Sequence, residues 1–228
     1  MKKSIDYRVY LVTDDPSRYE GDWLGQVASA VDGGVTCVQY RDTENGDREQ
    51  YYRLRALKDL LSARGVPLIV NNNVGLALAV GADGIHVGQN DLPPTVVRAL
   101  VGERMEIGYS ITSISQLADR ADEVAAADVL GIGPVFDATA TKADAAPEMG
   151  TAGLSAIVAS VRGSERVRNA SFESRKRLVA IGGINLERAA KVLASGVDGL
   201  AVVSAISRSP DPGLAARAFA ALSFPTGC

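Results

Sequence analysis

Three things are scarce in this chain of 228 residues: cysteine, histidine and any excess of positive charge. Its two cysteines, Cys37 inside a strand-like run and Cys228 at the end, make no disulfide framework and fit a reducing compartment. With 24 Lys and Arg against 27 Asp and Glu, the formal net charge is −3, which argues against a nucleic-acid surface. An anionic ligand must therefore be met by local cations and backbone amides. No window approaches the roughly 18 apolar residues of a membrane-spanning helix. The opening apolar run, Val9 to Val12, is too short for the core of a secretion signal. A cytoplasmic protein with no membrane partner is expected. No stretch reads as a linker either, so residues 1–228 are expected to form a single domain.

What is present is rhythm. The chain is 46% hydrophobic and 22% charged, as suits a globular α/β protein. Short β-rich runs occupy 7–13, 36–41, 67–71, 83–87, 106–110, 128–133, 178–182 and 198–204. Helix-like segments follow them at 22–32, 47–64, 74–80, 93–101, 113–126, 151–161, 185–195 and near 212–222. The joints repeat as well: GGVTCVQ (33–39), GADGIHVG (81–88) and GVDGLAVV (196–203) place glycine where a helix stops before a strand. Eight such units predict a closed (β/α)8 TIM barrel. An open doubly wound sheet, which normally uses fewer units, is the alternative. Two segments break the rhythm: a long small-residue loop at 134–153, and a basic stretch at 162–177 expected to be a solvated loop on the helix-to-strand face.

Barrel chemistry sits at the C-terminal strand ends. Reading those ends in order gives Gln39 and Arg41; Asn71, Asn72 and Asn73; Gln89 and Asp91; Ser110; Thr139, Thr141 and Lys142; Gly182 and Gly183; and Ser204. Polar residues or paired glycines recur from the second end to the eighth, a bias that points to a site. AIGGIN before a helix, with VVSAIS one unit later, offers backbone amides to a phosphate. In TATK (139–142), two alternate hydroxyls beside Lys142, the only cation between Arg120 and Arg162, form a second anion grip. Two grips suggest two phosphorylated groups, or one phosphate and one pyrophosphate.

Read in order, YLVTD, VQYRD, LIVNN, GADGIHVGQNDLP, IGYS, GIGPVF, TATK, MGTAGL, VAIGGI and VVSAIS cover nearly the whole chain. In this combination the sequence resembles the thiamine-phosphate synthase family. The resemblance implies two small-molecule substrates, 4-amino-2-methyl-5-hydroxymethylpyrimidine diphosphate and 4-methyl-5-(2-hydroxyethyl)thiazole phosphate, with Mg2+ as cofactor and pyrophosphate released. It also implies a dissociative reaction in which a pyrimidine methylene cation is captured by the thiazole nitrogen. Carried over by residue, Gln39, Arg41, Asn71, Ser110 and Lys142 resemble the pyrimidine diphosphate contacts. Thr139, Ala140, Thr141, Gly182, Gly183, Val203 and Ser204 resemble the thiazole phosphate contacts. Arg41, Ser110 and Lys142 are the expected catalytic residues, and Asp91 resembles a magnesium carboxylate.

The sequence departs from the family pattern at two notable places. Asn72 stands where the family usually has the second magnesium aspartate, and Thr43 where it usually has a lysine facing the diphosphate. Asn72 keeps an oxygen for the metal but no charge. The two changes cancel in net charge, which suggests a coupled exchange between neighbouring strands. Ala140 stands where proline or serine is commoner. The single histidine, His86, is expected to be a packed structural residue, since the implied reaction needs no general base. Trp23, Tyr51 and Tyr52 are expected to pack, while Tyr109 is near enough to a strand end to border the pyrimidine. Two other functions compete: a thiazole tautomerase of the same superfamily, which works with a histidine near the fifth strand end where this chain has Thr112, and a non-catalytic barrel that binds thiamine precursors. A homo-oligomer is compatible with the sequence.

Overall fold

A computed structural model of the chain describes residues 4–142, 145–164 and 175–225. Eight parallel strands close into a barrel in sequence order: β1 (Val9–Val12), β2 (Cys37–Tyr40), β3 (Leu68–Asn71), β4 (Gly84–Val87), β5 (Glu106–Ile111), β6 (Val129–Ile132), β7 (Arg177–Ile181) and β8 (Gly199–Val202). Closure is made by β1 against β8, with Val9 opposite Leu200 and Leu11 opposite Val202. Around the strands lie α1 (Trp23–Asp32), α2 (Asp47–Ala63), α3 (Val74–Val80), α4 (Pro94–Val101), α5 (Gln116–Asp119), α6 (Ala121–Ala126), α7 (Gly150–Gly163), α8 (Leu186–Leu193), α9 (Ser204–Ser207) and α10 (Pro212–Ala220). The (β/α)8 barrel is thus the fold, and no open sheet edge is left.

Strand periodicity divides the side chains into two cores. One phase, including Leu11, Val38, Tyr40, Val70, Ile85, Ile107 and Leu200, packs outward against the helices. The other fills the barrel with Tyr10, Val12, Cys37, Ile69, Val129, Val179 and Ala201. Tyr7 closes the lower end, donating to Glu106 Oε2 at 2.7 Å. The filling relies on glycine at two close approaches. A Cβ on Gly84 would lie 2.5 Å from Ile69 Cδ1, and one on Gly108 would lie 2.3 Å from His86 Nδ1. Small residues on β4 and β5 therefore make room for larger neighbours.

Helix starts follow from short polar side chains. Asp22, Asn73, Asn185 and Asp211 each accept the backbone N–H three residues ahead, capping α1, α3, α8 and α10. Such a cap contributes about 1 kcal/mol. Gly81 ends α3 in the left-handed conformation at φ 62°, as the repeated joint implied.

Three features differ from the sequence expectation. The helix expected over 113–126 is split because Arg120 leaves the helical region (φ −124°, ψ 35°) between α5 and α6. A short extra helix, α9, follows β8 directly. The described ends of the basic stretch are not merely solvated: Arg162 and Arg175 both grip Asp198, at 2.5 and 2.6 Å, and that carboxylate is buried. Residues 165–174 of that stretch, like Cys228, lie outside the described residues. Among the described residues no helix is long and apolar enough to cross a membrane.

Candidate active site

Because all eight strands are parallel, every residue that follows a strand's C-terminus lies at one mouth. The expected site residues from β2 to β8 share that mouth. So does a group that sequence reasoning passed over, Thr13, Asp14 and Asp15 after β1. Its signal was the same as at the other ends: a polar TDD directly after the apolar VYLV.

The β1 and β2 ends are tied together. Thr13 Oγ1 accepts the Arg41 amide at 2.9 Å and donates to the Arg41 carbonyl at 3.2 Å. Asp15, 2% exposed, faces the Arg41 guanidinium at 3.4 Å. Its Oδ1 also accepts from the Thr43 amide and hydroxyl, at 2.7 and 2.8 Å. Thr43 is therefore partnered by Asp15 of the β1 end. Asp42 folds the loop beneath. Burial alone would raise its pKa, but donation from Tyr40 and from the Asn45 and Glu44 amides holds it below the usual carboxylate range. Gln39 points into the barrel and donates to Tyr10 Oη at 2.6 Å.

At the β3 end, Asn71 is half-buried and in register with His86, while Asn72 takes a left-handed conformation at φ 61°. Asn and Asp tolerate that region better than other side chains. The residue type at 72 is thus restricted by backbone as well as by chemistry. Asn73 caps α3 and donates to Asp47 at 3.0 Å. The β4 end turns tightly, with Asp91 Oδ2 accepting the Gly88 amide at 2.6 Å.

Ser110 of β5 is held from two sides. Its Oγ lies 3.0 Å from His86 Nε2, and its carbonyl accepts from the Gln89 amide. His86 Nδ1 is buried without a hydrogen-bond partner among the described residues. Burial, with a smaller contribution from the Lys142 charge, pushes the His86 pKa down to about 4, so the ring is neutral at physiological pH. The expectation of a packed histidine agrees with this. Tyr109, by contrast, faces the helical layer and does not border the mouth. Its hydroxyl donates to Glu123 at 2.5 Å and lies 3.2 Å from the Gln89 side-chain amide, and burial followed by Glu123 raises its pKa to about 12.

The β6 loop forms a tight turn. The Thr141 and Lys142 amides both donate to the Ala138 carbonyl at 3.0 Å, and Thr141 Oγ1 donates to it at 3.1 Å. Asp137 accepts the Thr139 amide, which lowers its pKa. The Ala140 carbonyl is held by Arg18 at 3.0 Å and by Arg208 at 3.2 Å, two residues that no local pattern marked. Gly182 and Gly183 have positive φ, 102° and 60°, and run against this loop. A Cβ on Gly182 would lie 2.5 Å from Pro134, and one on Gly183 would lie 2.6 Å from the Asp137 carbonyl. Val203 packs at the top of the barrel filling, and Ser204 opens α9. A phosphate site after strands seven and eight with a short extra helix is a recurrent barrel arrangement.

Comparison with known proteins agrees with this architecture. The family model described as thiamine monophosphate synthase matches residues 9–206. A thiamine-phosphate synthase of Laribacter hongkongensis is 44% identical over 97% of this chain and 98% of that protein. One from Albidiferax ferrireducens is 42% identical over 92% and 88%. Among solved structures, a thiamine phosphate pyrophosphorylase from Pyrococcus furiosus superposes with a TM-score of 0.76 at 31% identity, covering 94% of each chain. With the family model spanning strand one to α9 and relatives this similar over almost its full length, the chain belongs to the thiamine-phosphate synthase family.

Proposed function

We propose that this protein joins 4-amino-2-methyl-5-hydroxymethylpyrimidine diphosphate to 4-methyl-5-(2-hydroxyethyl)thiazole phosphate, giving thiamine phosphate and pyrophosphate. The observation that carries the reading is that one loop serves both sides of the mouth. The Lys142 charge acts on His86, whose ring lies 3.0 Å from Ser110 Oγ, while residues 134–137 of the same loop pack against the Gly182–Gly183 turn. In this reading Arg41, Asn71, Ser110 and Lys142 receive the diphosphate substrate, with Gln39 below them. Thr139, Thr141, Gly182, Gly183, Val203 and Ser204 receive the thiazole phosphate.

The chemistry follows from the charges. The C–O bond between the pyrimidine methylene and the diphosphate breaks with both electrons leaving on oxygen. Arg41 and Lys142 offset the charge that develops there, an electrostatic role of the kind that dominates such catalysis. The lone pair of the thiazole nitrogen then forms the C–N bond, so the two rings must be held in line. No proton moves in either step. That suits a site whose only histidine is half-buried and neutral.

A magnesium ion fits the donors present. Asp91 Oδ2 is taken by the Gly88 amide, which leaves Oδ1 and the Asn72 amide oxygen as hard ligands. Among the described residues no group of three or more His, Cys, Asp or Glu could hold a metal by itself. One carboxylate and one amide suit a Mg2+ that draws its other ligands from water and diphosphate oxygens. When bound, the ion would neutralise part of the diphosphate charge. The tautomerase reading is set aside because Thr112 is occupied structurally: its amide and hydroxyl pair with Gln116 at 2.8 and 3.1 Å. A turnover assay with both substrates and Mg2+, following thiamine phosphate and pyrophosphate, is the test. Tight binding of both substrates without product would leave the non-catalytic reading in its place.

A further inference from the structure

Two cations that the reaction above does not use converge on the loop that does most of its work. Asp14 lies at the β1 end with 1% exposure. A buried carboxylate is tolerated only when paired and hydrogen-bonded. Asp14 has both kinds of partner: Arg208 Nε and Nη2 donate to Oδ2 at 2.8 and 2.5 Å, Arg18 Nη1 stands 3.6 Å from Oδ1, and the Asp15 amide donates to Oδ1 at 3.1 Å. Held there, the two guanidiniums turn further N–H groups to a single oxygen, the Ala140 carbonyl. Each lone pair of that carbonyl can thus take a charged donor.

We propose that Asp14, Arg18 and Arg208 form a clasp that holds the Ala140 carbonyl and so positions Thr139, Thr141 and Lys142 over the barrel mouth. Ala140 sits at the crest of the turn closed by the Ala138 carbonyl, so one anchored point orients the whole turn. The clasp grips backbone, which explains why alanine is acceptable at 140: nothing in the contact reads its side chain. Arg18 and Arg208 are positioning residues in this account, acting through the loop. The kinetic part of the proposal rests on the reading of the site given above.

The test uses the full chain with Arg18→Gln, Arg208→Gln, the double variant, Arg208→Lys, and Arg64→Gln as a control whose ion pair, with Asp32, lies on the surface. Amide hydrogen exchange without substrates reads the clasp directly. The expected result is exchange at Thr141 and Lys142 about tenfold faster or more in the double variant, with smaller effects in each single one. Strand amides and the Arg64 control should be unchanged. In steady state the double variant should lose about 10–100-fold in kcat/KM, since small misplacement of a catalytic group has costs of this order. Both substrates should be affected, with partial rescue by Arg208→Lys. Unchanged loop exchange in the double variant overturns the clasp. Faster exchange with unaltered kinetics in an active enzyme overturns its positioning role. If the wild type itself makes no thiamine phosphate, the functional reading fails while the exchange result still decides the clasp.

Discussion

The β1–β2 side of the mouth and its β7–β8 side are built on opposite plans. On the first, charged side chains already pair with one another: Asp15 with Arg41, and Asp14 with Arg18 and Arg208. On the second, the surface is backbone shaped by Gly182 and Gly183, with positive φ and neighbours too close for a Cβ. The difference has a physical consequence. A ligand arriving at paired charges has to share or displace existing partners, so affinity there depends on what each carboxylate holds. A turn of glycines is pre-formed and has no side-chain rearrangement to make. The charged side can therefore be tuned by single substitutions, whereas the glycine side should mostly break.

The largest effect should come from the loop that joins the two sides. Lys142→Ala is expected to lower kcat by about 10²–10³, the usual loss for one electrostatic contact to developing charge. His86→Gln should cost far less, because His86 transfers no proton. Comparable losses in the two variants would move the chemistry to the histidine.

His86 also makes stability depend on pH. Its folded-state pKa of about 4 lies below the ordinary value near 6.5, so between those values the unfolded chain binds more protons. The neutral ring's contribution is complete above about pH 6.5 and is lost as pH falls toward 4. Denaturant melts across that window should show a slope that His86→Gln flattens. An equal slope in the variant would place the acid sensitivity elsewhere.

On the glycine side, Gly183→Ala puts a Cβ 2.6 Å from the Asp137 carbonyl in a left-handed conformation that itself costs about 1–2 kcal/mol. A fall in Tm of several degrees is expected, with a KM for thiazole phosphate raised about tenfold. An unchanged Tm would mean that the turn relaxes freely, and the contrast between the two sides would dissolve.

The smallest effects should appear on the charged side. Asp15→Asn releases Arg41 from its counter-charge, and inorganic pyrophosphate is expected to bind a few-fold more tightly by calorimetry. Thr43→Lys should couple to Asp15→Asn, whose carboxylate it would face, by about 0.5 kcal/mol or more in a double-mutant cycle. With Asn72→Asp it should be additive within a few tenths. Coupling to Asn72 instead would support an exchange between the β2 and β3 ends.

Much of the molecule was legible before any coordinates. All eight strands fall within two residues of where alternating and continuous apolar runs placed them, because those runs record local burial. The strand-end residues were legible too, since a polar residue after an apolar strand is conspicuous. Thr13, Asp14 and Asp15 carried that mark and were passed over. Other features left no local mark. The outward turn of Tyr109 follows from its alternation with Ser110, which only an assembled barrel makes meaningful, and the break at Arg120 interrupts a segment whose apolar pattern runs on.

What the sequence by itself determined is the barrel, the mouth and the inventory of groups around it, all of which rest on periodicities spanning a few residues. Which group holds which was decided by closure. Only when β8 pairs with β1 does Arg208 come beside Asp14, 194 residues earlier. Only then can Arg18 and Arg208 meet at the Ala140 carbonyl, 122 and 68 residues away in the chain. Ion pairs depend on distance in space and carry no period along the sequence, so the tertiary structure alone assigns the partners.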